Sequence, residues 1–217
     1  MVTPGTEHQR VRVGGDNAST PIVAFDFDGT LTIKDSFIAF LRWRAGPLAY
    51  AVGIVRLAPD LIAYLFTRDR GALKASAARI FLGGASRDAL ERDAERFAEA
   101  SAAKLIRPDA LAAWRRHAAE GATMCIVTAS PETVVAPFAR RLGADRLIGT
   151  ELQFDEQHRF TGRFATSNCR AHEKVRRLQA AFGDEMTLAA AYGDTAGDVE
   201  MLAFAQQGHM KVFRKKP

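Results

Sequence analysis

Ile22-Val23-Ala24-Phe25 is a short apolar run that stops on a pair of acids, Asp26-Phe27-Asp28-Gly29-Thr30. Runs of this length bounded by turn formers suit strands buried on both faces of a parallel sheet. The pattern recurs twice. Met124-Cys125-Ile126-Val127 ends at Thr128, and Leu188-Ala189-Ala190-Ala191-Tyr192 ends at Gly193-Asp194. Helical spacing fills Pro108 to Glu120, Pro131 to Leu142 and Glu173 to Phe182. Strands alternating with helices predict an α/β class, a Rossmann-like parallel sheet with helices on both faces. Ligands bind such sheets beyond the carboxyl ends of the strands, so three polar strand ends are expected to meet at one site.

The interval from Leu31 to Arg107 breaks the alternation. It holds the apolar window Leu48 to Phe66 and then Arg70 to Phe81 and Asp88 to Lys104, both with helical spacing. We read it as a helical cap inserted after the first strand. The expected division is a leader at 1–20, a core at 21–33 and 108–213, and a cap at 34–107. The window is long enough for a membrane span, but Arg56, Pro59 and Asp60 fall near its middle. A charge there costs about 2.5–3.5 kcal/mol on insertion, so two short helices joined at Pro59 are expected instead. Leu152/Phe154 and Phe160/Gly162/Phe164, around Asp155-Glu156-Gln157-His158, predict a late β-hairpin. Lys211 to Pro217, with four bases and no acid, is expected to be solvated and frayed.

With 217 residues, 47% of them apolar and 25% charged, the chain suits one folded unit with a small accessory part. Disordered, collagenous and coiled-coil classes are excluded. Residues 1–20 are polar and lack the apolar run of a signal peptide, so they read as a flexible leader. Cys125 and Cys169 are too few for a disulfide framework and fit a reducing, cytoplasmic compartment. The net charge of +5 favours anionic partners without selecting one. No zinc finger or basic helix with interleaved aromatics is present, so no nucleic-acid partner is expected.

Asp26 and Asp28 would point the same way if the chain left its strand with the pleat intact. Asp194 and Asp198 form a second acidic pair after another strand. Carboxylates gathered at one site repel each other and resist desolvation, which implies a cation. Oxygen-only ligands point to Mg²⁺ rather than zinc.

In this order and placement the residues resemble the haloacid dehalogenase superfamily of aspartate-nucleophile phosphatases. Asp26-Phe27-Asp28-Gly29-Thr30 matches the first motif, Val127-Thr128 the second, Lys174 the third, and Gly193-Asp194 with Asp198 the fourth. The resemblance implies that Asp26 attacks phosphorus, giving an aspartyl-phosphate, while Asp28 serves as acid and then base. It implies that Asp26, Asp194 and the carbonyl of Asp28 hold Mg²⁺. Thr128 and Lys174 would bind phosphate oxygens, and Asp198 would orient the lysine or the metal's water. Amides after Asp26, at Gly29 and Thr30, would add donors. Lys104, Arg170, Arg176 and Arg177 are rivals to Lys174 for the cationic role, and Cys169 reads as packed rather than reactive.

An insertion between the first and second motifs is similar to the phosphoserine phosphatase-like branch. Asp28 to Phe37, Thr128 to Glu132 and His172 to Val175 are similar to the bacterial group that includes phosphatidylglycerophosphatase C. That likeness implies a lipid phosphate as substrate. Phosphoserine phosphatases carry Glu where Asp35 stands here, and Gly-Gly where Ala129-Ser130 stand. These departures weaken phosphoserine as the substrate without removing it, and a phosphoserine phosphatase-like hydrolase of a small soluble ester is the alternative. A catalytically silent binder of anionic ligands is a third reading. Asp35, Ala129 and Ser130 are the candidate substrate contacts. Five Arg and two Asp lie between Arg42 and Arg70. Apolar faces flanked by bases suit an anionic membrane surface, so the cap is expected to sit on the inner face of the cytoplasmic membrane without crossing it. The competing expectation buries Leu48 to Phe66 against the core or a second copy, and the oligomeric state is left open.

Overall fold

The computed structural model describes residues 20–217, so the expected leader lies outside the described residues except for Thr20. Five strands form a parallel sheet in the order β3-β2-β1-β6-β7. They are β1 (Ile22–Phe25), β2 (Thr123–Pro131), β3 (Arg146–Thr150), β6 (Leu188–Gly193) and β7 (Gln207–Met210). The strands separate two apolar clusters, and alternate residues serve each. Val23, Phe25, Met124 and Ile126 pack with α4 (Pro108–Ala119) and α5 (Glu132–Leu142). Ile22, Ala24, Cys125 and Val127 pack with α6 (His172–Phe182) and α7 (Val199–Phe204). Burial on both faces is why these strands read as unbroken apolar runs.

The two edge strands, β3 and β7, have no such signature. Arg146 is exposed, and Gln207-Gly208-His209-Met210 is polar and mostly exposed. β3 still buries Ile148 to Thr150, but its apolar stretch is only Leu147-Ile148, while β7 stays open to solvent.

Between β1 and α4 lie α1 (Ser36–Thr67), α2 (Arg70–Leu82) and α3 (Arg87–Leu105). Their starts are set locally: Asp35, Asp69 and Ser86 accept hydrogen bonds from the amides of Ile38, Ala72 and Ala89. The hairpin forms as expected, with β4 (Leu152–Phe154) antiparallel to β5 (Phe160–Phe164), and β5 packs on α2.

Two expectations are corrected. The bend in the apolar window is not at Pro59, which stays within α1. The break is at Gly46, whose φ of 72° and ψ of 170° interrupt the helix before Pro47 restarts it. Glycine tolerates that conformation and proline suits a helix's first turn, whereas Pro59 forfeits one hydrogen bond on an exposed surface. The carboxyl terminus is not frayed. Phe213 stacks on Tyr192 at 5.3 Å between ring centroids, and Asp109 accepts from the amides of Arg214 and Lys215 at 2.7 and 2.9 Å.

Helix α1 meets α2 through Gly53, Tyr50 and Phe81. The rings of Tyr50 and Phe81 stack at 5.3 Å, and a Cβ at Gly53 would lie 2.2 Å from the Phe81 ring. Overpacking costs about 1–3 kcal/mol, against about 1 kcal/mol gained when alanine replaces a helical glycine. Gly53→Ala should therefore be net destabilising, read as a lower urea midpoint with an unchanged slope.

Candidate active site

The three polar strand ends do meet. Asp26 leaves β1 in extended conformation and is buried, with its amide donating to Tyr192 O at 2.8 Å. The pleat does not continue to Asp28, contrary to the premise of the sequence argument. Residues Phe27–Leu31 form one wide turn, closed by Thr32 N donating to Phe27 O at 2.9 Å, with Gly29 at a φ of 88°. The turn nonetheless brings both carboxylates to the wall of the same cavity.

Lys174, in the first turn of α6, is the buried cation of the site. Its Nζ donates to Asp26 Oδ1 at 2.6 Å, Asp198 Oδ1 at 2.7 Å and Val127 O at 2.7 Å. None of the rivals is seen to pair with Asp26 among the described residues. Arg176 and Arg177 pair with Glu173 at 2.7 and 2.9 Å, Lys104 is exposed, and Arg170 lies on the cavity wall. Despite Lys174, burial pushes the Asp26 carboxyl up to about 7, with the charge of Asp198 adding to the rise.

Thr128 is buried on the wall, and its Oγ1 accepts from Ser130 N at 3.0 Å. Asp28 is held from two sides: Oδ1 accepts from Ser36 N at 2.7 Å, and Oδ2 accepts from Ser130 Oγ. Asp35 is spent on capping α1, where Oδ1 accepts from Ile38 N at 2.8 Å, although it also lines the cavity. Burial first, and then the neighbouring Asp28, raise the Asp35 carboxyl above its ordinary range. Gly29 and Thr30 face Asp194 and a second, polar hollow shared with Arg107 and Lys211, not the large cavity.

The acids fit a hard cation. Asp26, Asp194 and Asp198 each offer an oxygen, all within 4.8 Å of one another. Asp198 is already committed: Oδ1 takes Lys174, and Oδ2 takes the Asp194 and Thr195 amides and the Thr195 hydroxyl. Among the described residues the Asp194 carboxylate has only Thr30 Oγ1, at 3.5 Å, and burial followed by Asp198 raises its carboxyl. A Cβ at residue 29 would fall 2.2 Å from Asp194 Oδ2, so glycine alone leaves that carboxylate its place. Asp26 Oδ2 and Asp194 are thus oxygen donors short of positive charge, the set that Mg²⁺ takes.

Several participants had no sequence signal. Lys74, in α2, donates to Ala129 O and Ser130 Oγ, both at 3.2 Å. Arg107 donates to Gly29 O and Thr32 O, both at 3.2 Å, and so braces the turn after Asp26 from the start of α4. A lone lysine between Leu73 and Ala75 was the only hint of the first.

This arrangement agrees with the comparisons. The haloacid dehalogenase-like hydrolase family model matches residues 23–203. The chain belongs to that family. It is 59% identical over 196 residues to Protein CicA of Caulobacter vibrioides, covering 90% of this chain and 88% of that protein. It is 28% identical to the Inhibition of morphological differentiation protein of Streptomyces azureus, covering 90% and 74%. A protein of unknown function from Bordetella pertussis Tohama I superposes with a TM-score of 0.71 at 25% identity, covering 85% and 86%. A substrate-bound phosphoserine phosphatase shares the fold, with a TM-score of 0.58 at 17% identity over 86% and 83% of the two chains.

Proposed function

We propose that this hydrolase removes phosphate from an apolar-tailed phosphomonoester, a lipid phosphate such as phosphatidylglycerophosphate, with Mg²⁺ and through an aspartyl-phosphate. One observation carries the reading. A single cavity of about 450 Å³ is lined by Asp26, Asp28, Thr128 and Lys174 and also by Ile38, Leu41, Ile54, Leu57, Leu61 and Leu73. A charged phosphate site continuous with an aliphatic wall suits a substrate with one ionic end and one hydrocarbon end. In this reading residues 34–107 choose the leaving alcohol, while 21–33 and 108–213 handle phosphorus.

Asp26 is the nucleophile, its carboxylate held in place by Lys174. It forms a bond to phosphorus as the bond to the leaving oxygen breaks, and Asp28 gives its proton to that oxygen. Water then attacks the aspartyl-phosphate, the phosphorus–Asp26 bond breaks, and Asp28 takes the water's proton. The Ser130 hydroxyl can donate to ionised Asp28 or accept from protonated Asp28, so it tracks both states. Thr128 and Lys174 hold phosphoryl oxygens. Asp26, Asp194 and the Asp28 carbonyl would hold Mg²⁺, which would supply positive charge to offset the repulsion between carboxylate and phosphate.

The aliphatic wall sets a quantitative expectation. With alkyl phosphates of rising length, kcat/KM should climb until the wall is filled. The ceiling is about 0.8 kcal/mol, or fourfold, per buried methylene. Flat kinetics from butyl to dodecyl phosphate would contradict the tailed substrate.

The outer face of α1 supports a place at the membrane. Leu48, Val55 and Phe66 are 84, 74 and 83% exposed, and Val52 and Ile62 continue the same stripe. Ser36–Thr67 is long and apolar enough to cross a bilayer by length and composition. Its inner face, however, lines the cavity, and Asp60 accepts from Ser76 Oγ of α2 at 2.7 Å. The stripe, with exposed Arg56 and Arg68 close by, fits an anionic bilayer surface such as the inner face of the cytoplasmic membrane. The protein should float with phosphatidylglycerol-rich vesicles, and Val55→Glu with Ile62→Glu should leave it at the bottom of the gradient. Equal flotation of wild type and variant would contradict this placement.

A further inference from the structure

Two unfavourable local features serve one side chain. Ala171 has φ 56° and ψ −136°, a conformation that residues bearing a Cβ seldom adopt. Its amide donates to Gly197 O at 2.8 Å, and the Arg170 amide donates to Asn168 O at 2.7 Å. Across from it, a Cβ at Gly197 would lie 2.7 to 2.9 Å from Cγ, Cζ and Nε of Arg170. The strained alanine and the glycine together seat the arginine against the loop between Asp194 and Asp198.

The seated guanidinium is uncommitted. Lys174 is turned to Asp26, Asp198 and Val127 O, at the end of the cavity where the transferred phosphoryl sits. Lys74 is engaged by Ala129 O and Ser130 Oγ, and Arg176 and Arg177 by Glu173. Arg170 lines the same cavity and meets no carboxylate among the described residues. Beside it stands Asn168, whose Oδ1 is closed off from solvent without a hydrogen-bond partner. A Cβ at Gly71, in the first turn of α2, would come 3.5 Å from Asn168 Nδ2. The pair therefore sits where the inserted helices meet the core, beyond the Asp26, Thr128 and Lys174 cluster. A planar guanidinium fork matches the two free oxygens of a phosphodiester, while Asn168 Oδ1, an acceptor, suits a hydroxyl of the same alcohol and not its anion.

We propose that Arg170 forms a subsite for a second anionic group on the leaving alcohol, a phosphodiester, placed between the transferred phosphoryl and the aliphatic wall. The proposal rests on reading the cavity as a tailed-phosphate site. Arg170 is then a specificity residue.

The test compares dodecyl phosphate, which has a tail and no second anion, with phosphatidylglycerophosphate, which has both. In Arg170→Ala the ratio of kcat/KM for the diester-bearing substrate over dodecyl phosphate should fall at least about tenfold, through KM. Arg170→Lys, which keeps the charge without the fork, should restore only part of that ratio. An unchanged ratio, or equal losses on both substrates, overturns the subsite. A second arm dispenses with the tail. Glycerophosphoglycerol, a soluble phosphodiester with no monoester, should inhibit p-nitrophenyl phosphate hydrolysis competitively in the wild type, and about tenfold more weakly in Arg170→Ala. Inhibition of this kind supports the subsite even if the tailed substrate proves wrong. Absence of inhibition in the wild type overturns it. That arm needs no variant, so a folding failure in Arg170→Ala does not shelter the proposal.

Discussion

Asp26→Asn should lower Mg²⁺-dependent phosphate release by about 10⁴-fold or more while leaving a folded protein. On the proposed mechanism the substitution removes the nucleophile and with it the covalent route, leaving only binding and electrostatic positioning. An amide oxygen is a poor nucleophile toward phosphorus and a weak metal ligand, so two functions are lost in one substitution. The fold should tolerate the change. Lys174 keeps Asp198 Oδ1 and Val127 O as acceptors, and the buried Asp26 charge is itself costly, as its raised carboxyl shows. The melting temperature should stay within about 5 °C of wild type, a shift that corresponds to one or two kcal/mol in a chain of this size. A variant that is folded and still turns over at a tenth of the wild-type rate would remove Asp26 from the nucleophile's role.

Lys174→Met should do more damage to the fold than Asp26→Asn does, and comparable damage to the activity. The lysine is fully buried and donates three hydrogen bonds, two of them to buried carboxylates. Its ammonium titrates well above the ordinary lysine range. Burial works against that rise, but Asp26 and Asp198 outweigh it. Taking away one partner of a buried ionic group leaves the others unpaired, which costs about 3–5 kcal/mol. Part of that cost is relieved when Asp26 and Asp198 take up protons. A charged nucleophile is then lost as well. The measurement is urea unfolding alongside turnover. Full stability in Lys174→Met would mean that the carboxylates are not held charged by the lysine. Wild-type turnover would mean that the ammonium serves neither Asp26 nor the phosphate.

The legible parts of this chain are those whose physics is local. Ile22–Phe25 and Met124–Val127 are flanked on both faces by helices, so burial wrote them as apolar runs, and the chemistry at their ends followed from the sheet class. Lys174 was legible as a motif residue. The structure separates it from Arg176 and Arg177 only because both arginines turn to Glu173. Edge strands β3 and β7 carry polar residues and left no such trace. Pro59 was the visible breaker in the apolar window, yet Gly46 makes the break, because glycine's left-handed backbone leaves less of a mark than proline does. The tail from Lys211 onward was read from its bases, while its order depends on Phe213, Arg214 and Lys215 finding Tyr192 and Asp109, contacts between distant parts of the sequence. The same reason hid Lys74 and Arg107. Each acts on a loop contributed by another part of the chain, and no periodicity records that.

The apolar window shows the two kinds of information together. Its composition announced a helix apolar nearly all round, but not which residues face what. The structure divides it, with Ile54, Leu57 and Leu61 on the cavity wall and Leu48, Val55 and Phe66 facing outward. In the proposed function one helix would serve both the tail of the substrate and the membrane surface.

The most direct test is Mg²⁺-dependent phosphate release from phosphatidylglycerophosphate in mixed micelles, run beside phosphoserine, with Asp26→Asn as the blank. The account predicts release from the lipid at a kcat/KM at least about a hundredfold above that for phosphoserine, abolished by EDTA and by the substitution. A preference for phosphoserine, or lipid turnover that persists in Asp26→Asn, would contradict it.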